Sequence, residues 1–148
     1  MDDISAKITD KTTRAFYDYW KDRKAGGQLP RWHDFDPVEM RDWLGWINVV
    51  EVAGEGDGCR FRYRVHGDQL SDFLGVEMTG KFADEIPRAS VRERAMAGYR
   101  VVADKQAPDL VRYVDTHANE RLVRVERLTV PVLDGDTMLL VSFFRFEP

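Results

Sequence analysis

Residues 137–146 are apolar on both sides of an extended chain. Leu139, Val141 and Phe143 alternate with Met138, Leu140 and Phe144, so neither face of this segment suits water. Such a strand belongs in the middle of a sheet with both faces covered. Something else in the chain must therefore supply two covering layers.

The sequence contains both. Over residues 9–25, Thr13, Phe16, Tyr17 and Trp20 fall at helical spacing and form one aromatic stripe, with charged residues around the rest. Gly26-Gly27 stops this helix. A linker follows, and then Asp36-Pro37-Val38-Glu39 reads as the capped start of a short second helix ending near Trp43. The other cover lies mid-chain. Residues 68–74 predict a short helix ended by Gly75, and residues 82–86 one further turn stopped by Pro87. Ser90-Val91-Arg92-Glu93 reads as a capping box opening a helix to about Asp104.

Strands fill the remainder. Residues 46–53 and 59–66 flank the turn Gly54-Glu55-Gly56-Asp57-Gly58 and form a hairpin. In the second of these, Phe61, Tyr63 and Val65 are expected on one face and Arg60, Arg62 and Arg64 on the other. Residues 109–116, 121–132 and 137–146 are three more strands with tight connections, so neighbours pair antiparallel. The expected fold is α+β. It is a five-stranded antiparallel sheet in spatial order 2-1-5-4-3, with a helical crossover between strands 2 and 3. Residues 1–45 are expected as a helical extension packed on that sheet, and 46–148 as the core, one domain overall.

This order is that of a PAS domain with an N-terminal extension. Local motifs strengthen the resemblance. Tyr19-Trp20, Leu29-Pro30-Arg31 and Asp34-Phe35-Asp36-Pro37 resemble the opening of a bacterial PAS-like family, mainly alphaproteobacterial and formerly a domain of unknown function. Trp43-Leu44-Gly45-Trp46 and the run Arg60-Phe61-Arg62-Tyr63-Arg64-Val65-His66-Gly67 resemble its first hairpin. Phe73-Leu74-Gly75 with Met78-Thr79-Gly80-Lys81, and Glu126-Arg127-Leu128-Thr129-Val130-Pro131-Val132, resemble later segments. The resemblance spans 19–146. It implies a sensory role and supplies no reaction and no common ligand.

Composition narrows the function further. The 148 residues suit one domain, and their 43% hydrophobic content suits one core. The net charge of −4 gives no reason to expect nucleic acid. Cys59 is the single cysteine, which with the absence of a signal-peptide pattern fits a reducing cytoplasm. No apolar run reaches the roughly 20 residues a membrane helix needs.

Each chemical constellation has a plainer structural explanation. Gly58-Cys59-Arg60-Phe61 is similar to the cysteine motif of flavin-binding light sensors, but Cys59 opens a strand rather than a helix. Asn48 and Asn119 are the only asparagines, and the pair that would hold a flavin ring is missing. A buried inert cysteine is expected. The helix from Val91 to Asp104 has no histidine for haem. His33 lies in a linker, His117 in a turn, and His66 at a strand end where a hydrogen-bonded ring is expected. No Cys/His spacing suits zinc. Asp34 and Asp36 read as helix-capping residues, and Asp134 and Asp136 as turn residues. The arginine row 60, 62 and 64, joined by Arg121, Arg124 and Arg127, reads as a solvated face paired with Glu51 or Glu126.

The expectation is thus a stand-alone PAS-like sensory or regulatory domain, not an enzyme, with no cofactor. It would bind a small molecule, a protein partner, or both, and would not engage nucleic acid or membrane. Phe61, Tyr63, Val65, Phe73 and Leu74 are candidate pocket residues, as are Val91, Ala95, Tyr99 and Tyr113. Arg127 is a polar anchor if it points inward. Phe16, Tyr17 and Trp20 are expected to pack on the sheet and leave a remainder that pairs two subunits. Two alternatives stand beside it. One is a cone-fold isomerase or dehydratase using Tyr17, Asp36 and His66, which would place its helices before its strands. The other is a ligand-free structural adaptor.

Overall fold

The computed structural model describes residues 4–147; positions 1–3 and 148, at the outer ends of the two expected segments, lie outside the described residues. Five strands, β1 (Ile47–Ala53), β2 (Arg60–His66), β3 (Asp109–Thr116), β4 (Leu122–Asp134) and β5 (Thr137–Glu147), form one sheet. Every pairing is antiparallel and the order is β2-β1-β5-β4-β3, as the sequence predicts. Between β2 and β3 the chain crosses through α2 (Asp68–Leu74), a single 3-10 turn at Ala83–Glu85, and α3 (Ala89–Lys105). A helical crossing at this point excludes the cone-fold alternative.

The period of two along each strand sorts side chains into two layers. Leu128, Val130 and Val132 of β4 meet Leu139, Val141 and Phe143 of β5 on the face covered by α1 (Lys11–Asp22). Val50, Phe61, Tyr63 and Leu140 lie on the opposite face, under Ala95, Tyr99 and Val102 of α3. Phe16, Tyr17 and Trp20 are fully or almost fully buried against the sheet of their own chain. The expected exposed remainder does not exist, so these three residues offer no surface to a second subunit.

Helix boundaries depart from expectation where side-chain caps act differently. In α1, Asp10 is the cap, and its Oδ2 accepts from the Thr12 and Thr13 amides at 3.0 Å. The helix ends before the glycine pair because the Arg23 guanidinium takes the Tyr19 carbonyl at 2.9 Å. Residues 36–43 form successive turns rather than a helix. Asp36 does accept from the Val38 amide at 2.9 Å, but Glu39 does not reach back to it. Its carboxylate is held instead by the Tyr19 hydroxyl at 2.8 Å and Arg23 at 3.0 Å. The capping box at Ser90 is also unformed. Arg88, still extended after Pro87, occupies the cap of α3, and its side chain makes no bond to the helix amides.

One contact fixes how α1 sits. Leu133 sends its amide away from β5 to the Pro30 carbonyl at 2.9 Å. Pro131, two residues earlier, therefore faces the same side, beyond the end of β3, where its missing N–H breaks no ladder bond. Its carbonyl accepts the buried Trp20 indole N–H at 2.8 Å. Trp20→Phe keeps most of the ring but leaves that carbonyl unpaired, so urea unfolding should show a loss of about 1–3 kcal/mol. Trp20→Ala should cost about 3–5 kcal/mol.

Candidate functional site

A cavity of about 50 Å³ lies between the inner face of the sheet, α2 and α3. That is room for a few waters or a small ion, well below the roughly 300–1,000 Å³ that drug-sized ligands occupy.

Its shape depends on an irregularity in β2. Val65 stands opposite Val49, but Tyr63 stands opposite Val50, so Arg64 is an extra residue and the strand bulges there. A bulge reverses the alternation of faces. Phe61 and Tyr63 point inward before it, whereas after it His66 points inward and Val65 lies exposed on the outer face. Val65 is thus removed from the candidate pocket. Phe61 is buried beside Tyr99, with ring centroids 5.4 Å apart, but does not reach the cavity. Tyr63, Phe73, Leu74, Val91, Ala95, Tyr99, Tyr113 and Arg127 all line it.

The wall is unusually polar for a core. The Tyr63 and Tyr99 hydroxyls are hydrogen-bonded at 2.9 Å, and the Asn48 side chain lines the same wall. Burial pushes the Tyr99 hydroxyl up to about 12, and raises Tyr63 and Tyr113 as well. All three are neutral at physiological pH and can donate or accept. Ser71 donates its hydroxyl proton to Glu77 at 2.8 Å, so the Nδ1–H of His66 donates to the Ser71 oxygen at 2.8 Å. Burial lowers the His66 pKa, against the opposing charge of Glu77.

Arg127 is the least ordinary member. Only 4% exposed, it points from β4 toward α3, with its charge close to Tyr63, Tyr99 and Tyr113. A Cβ on Gly98 would stand 2.0 Å from its Nη2 and 2.6 Å from Cζ, so the guanidinium lies directly against the α3 backbone. Gly98 is required for that close approach, not for an unusual backbone angle. Asp115, also on the wall, is engaged by Arg88 at 3.8 Å. Glu126, next to Arg127 in sequence, faces the other layer, where Thr13 donates to it at 2.7 Å and Arg112 at 2.7 Å. Arg127 Nε and Asn48 Oδ1 are both buried without a hydrogen-bond partner among the described residues.

Sequence reasoning missed Asn48, His66, Asp115 and Arg94, which stacks over Tyr113 at 4.0 Å. Asn48 had a signal. It is the one polar residue in Ile47-Asn48-Val49-Val50, on the same face as Val50. The other constellations stay apart. Tyr17 is on α1 against the far face of the sheet, Asp36 is in the linker, and His66 is in the cavity, so they form no catalytic group. Among the described residues no group of His, Cys, Asp or Glu could hold a metal ion. Cys59 is half-buried rather than buried. Arg62 and Arg64 pair with Glu51, as expected, while Arg60 takes Asp84 through two bonds of 2.8 Å. No helix among the described residues is long and apolar enough to cross a membrane.

A family model described as a PAS domain matches residues 8–141. Among solved structures, a variant of the fungal photoreceptor VVD is 12% identical, with 93% of this chain and 97% of that one covered and a TM-score of 0.49. A PAS domain from Colwellia psychrerythraea is 11% identical, covering 72% and 95%, with a TM-score of 0.42. A PAS domain from a two-component sensor histidine kinase is 7% identical, covering 93% and 100%, with a TM-score of 0.39. No curated protein matches the chain.

Two outcomes follow from this geometry. Gly98→Ala should destabilise the domain by about 1–3 kcal/mol through overpacking against Arg127. In an Arg127→Ala background the same change should become neutral or stabilise by up to about 1 kcal/mol, since alanine favours the helix. Thermal or urea unfolding of the four proteins measures the reversal. The His66 ring should titrate by NMR below its ordinary 6.5. Because folding favours the neutral ring, its contribution is intact above 6.5 and is lost as pH falls below that value.

Proposed function

Because the chain belongs to the PAS domain family, we propose that it is a sensory and regulatory module that takes a small molecule into the cavity beneath α3. The carrying observation is the set of buried polar groups around that cavity. Two atoms of it, Arg127 Nε and Asn48 Oδ1, have no hydrogen-bond partner among the described residues. Buried polar groups are nearly always satisfied, and each exception costs on the order of 1–3 kcal/mol. A cavity wall that carries such a cost in the free protein is suited to recover it on binding.

The same strand offers a route for the signal. Arg127 points to the cavity and Glu126, its neighbour, binds Thr13 at the start of α1. Arg145 adds to that junction, lying 3.6 Å from Glu126 and 3.5 Å from Asp10. A ligand that repositions Arg127 shifts β4, and with it the hydrogen bonds that seat the helix on the far face. Differential binding to two positions of α1 then biases its association with a protein partner or a second copy of this chain.

Native mass spectrometry of protein from its host should show a bound small molecule. A metabolite panel should raise the unfolding temperature, with the effect lost in Arg127→Met. No bound species and no thermal shift across the panel would leave the adaptor alternative, which the small size of the cavity favours.

A further inference from the structure

Resting on the cavity as a ligand site, we propose that its ligand is a small hydroxycarboxylate. Its carboxylate would sit on Arg127 and its hydroxyl would donate to Asn48.

The charge argument comes first. A guanidinium stays protonated at any physiological pH, and a buried cation without an anionic partner is costly. Of the carboxylates near Arg127 in the sheet, Asp115 is taken by Arg88, and Glu126 faces α1. The tyrosines that surround Arg127 are neutral, so they solvate its charge without cancelling it. An anion placed here completes an ion pair inside a low-dielectric wall, where charge-assisted bonds are strongest. A cationic ligand meets both Arg127 and Arg94. A purely apolar one leaves the guanidinium as it is.

The hydroxyl follows from the second orphan atom. Asn48 Oδ1 only accepts, so it requires a donor, and a simple carboxylate has none. Size sets the rest. About 50 Å³ admits two or three carbons and excludes flavin, haem and nucleotide-sized groups.

The test uses the full chain, with glycolate, acetate, inorganic phosphate and neutral glycolamide as probes at constant ionic strength in chloride. Calorimetry and thermal shift should show glycolate binding. Acetate should be weaker by about tenfold for the missing hydrogen bond, and glycolamide weaker by more than that. Arg127→Met should retain the native circular dichroism spectrum and lose the glycolate response by at least tenfold. Asn48→Ala should abolish the preference for glycolate over acetate and leave acetate binding in place. Glycolamide binding as well as glycolate, or an unchanged response in folded Arg127→Met, would overturn the carboxylate assignment and still leave a ligand cavity. Phosphate binding to the exclusion of both carboxylates would overturn the organic part of the proposal. Silence from all four probes, with no molecule retained in native mass spectrometry, would remove the ligand site itself.

Discussion

The long pairing of β4 with β5 is the constraint from which the rest of the structure follows. Its register runs from Arg124 opposite Glu147 to Asp134 opposite Thr137; β4 is buried over most of that length and β5 through its centre, from Leu139 to Phe143. Because alternate residues of a strand face opposite ways, each strand serves two layers at once. One set of side chains is bound to α1 and the other to the crossing helices. Neither layer can be removed without exposing half of the central pair, so the N-terminal helix belongs to the same cooperative core as the crossover. Burying that much apolar surface also permits an expensive polar cluster elsewhere on the same strands. The buried Thr129–Ser142 hydroxyl pair, 2.8 Å apart between β4 and β5, is the mild form of that cluster. Arg127 is the severe one.

Much of the architecture was legible because it rested on periodicity over long segments. The two-sided apolar run at 137–146 placed β5 innermost, and the aromatic stripe of Thr13, Phe16, Tyr17 and Trp20 placed α1 on one face. What escaped depended on single side chains choosing among partners. Glu39 had the spacing to cap a helix at Asp36, yet Tyr19 and Arg23, distant in sequence, hold it instead. Without that bond residues 36–43 remain a series of turns. The Ser90 capping box failed for a related reason. Pro87 and Arg88 set the helix start two residues earlier, at Ala89, and the Arg88 guanidinium went to the Thr116 carbonyl and Asp115. The true reach-back lies in the preceding turn, where Glu85 accepts from the Phe82 amide at 2.8 Å.

The cavity was partly legible for the same reason and partly hidden. Tyr63, Tyr99, Tyr113 and Arg127 could be named because strand and helix periods bring them to one side. Val65 and His66 exchanged places because one extra residue at Arg64 reverses the faces of β2, and a bulge leaves no mark in hydrophobic alternation. The outer edge of β2 also pairs locally with residues 80–82, through Tyr63 to Lys81 and Gly80 and through Arg62 opposite Phe82. That local pairing comes from a loop with no strand pattern, so sequence alone does not announce it.

Gly98 supports the proposal that the polar cluster is a recognition surface rather than leftover core. In the middle of α3 a glycine costs roughly 1 kcal/mol relative to alanine. Its backbone angle is ordinary for a helix, so conformational freedom does not explain it. The gain is proximity, since the missing methyl lets the Arg127 guanidinium lie against the helix. Two unfavourable choices, a glycine within a helix and a charge within a core, thus support one arrangement. If packing were the only demand, a methionine opposite an alanine would fill the same space at lower cost, since buried charges are often replaced by apolar groups without loss of stability. An arrangement that is worse for stability and specific in geometry fits the binding role proposed above, in which a bound anion would offset the deficit.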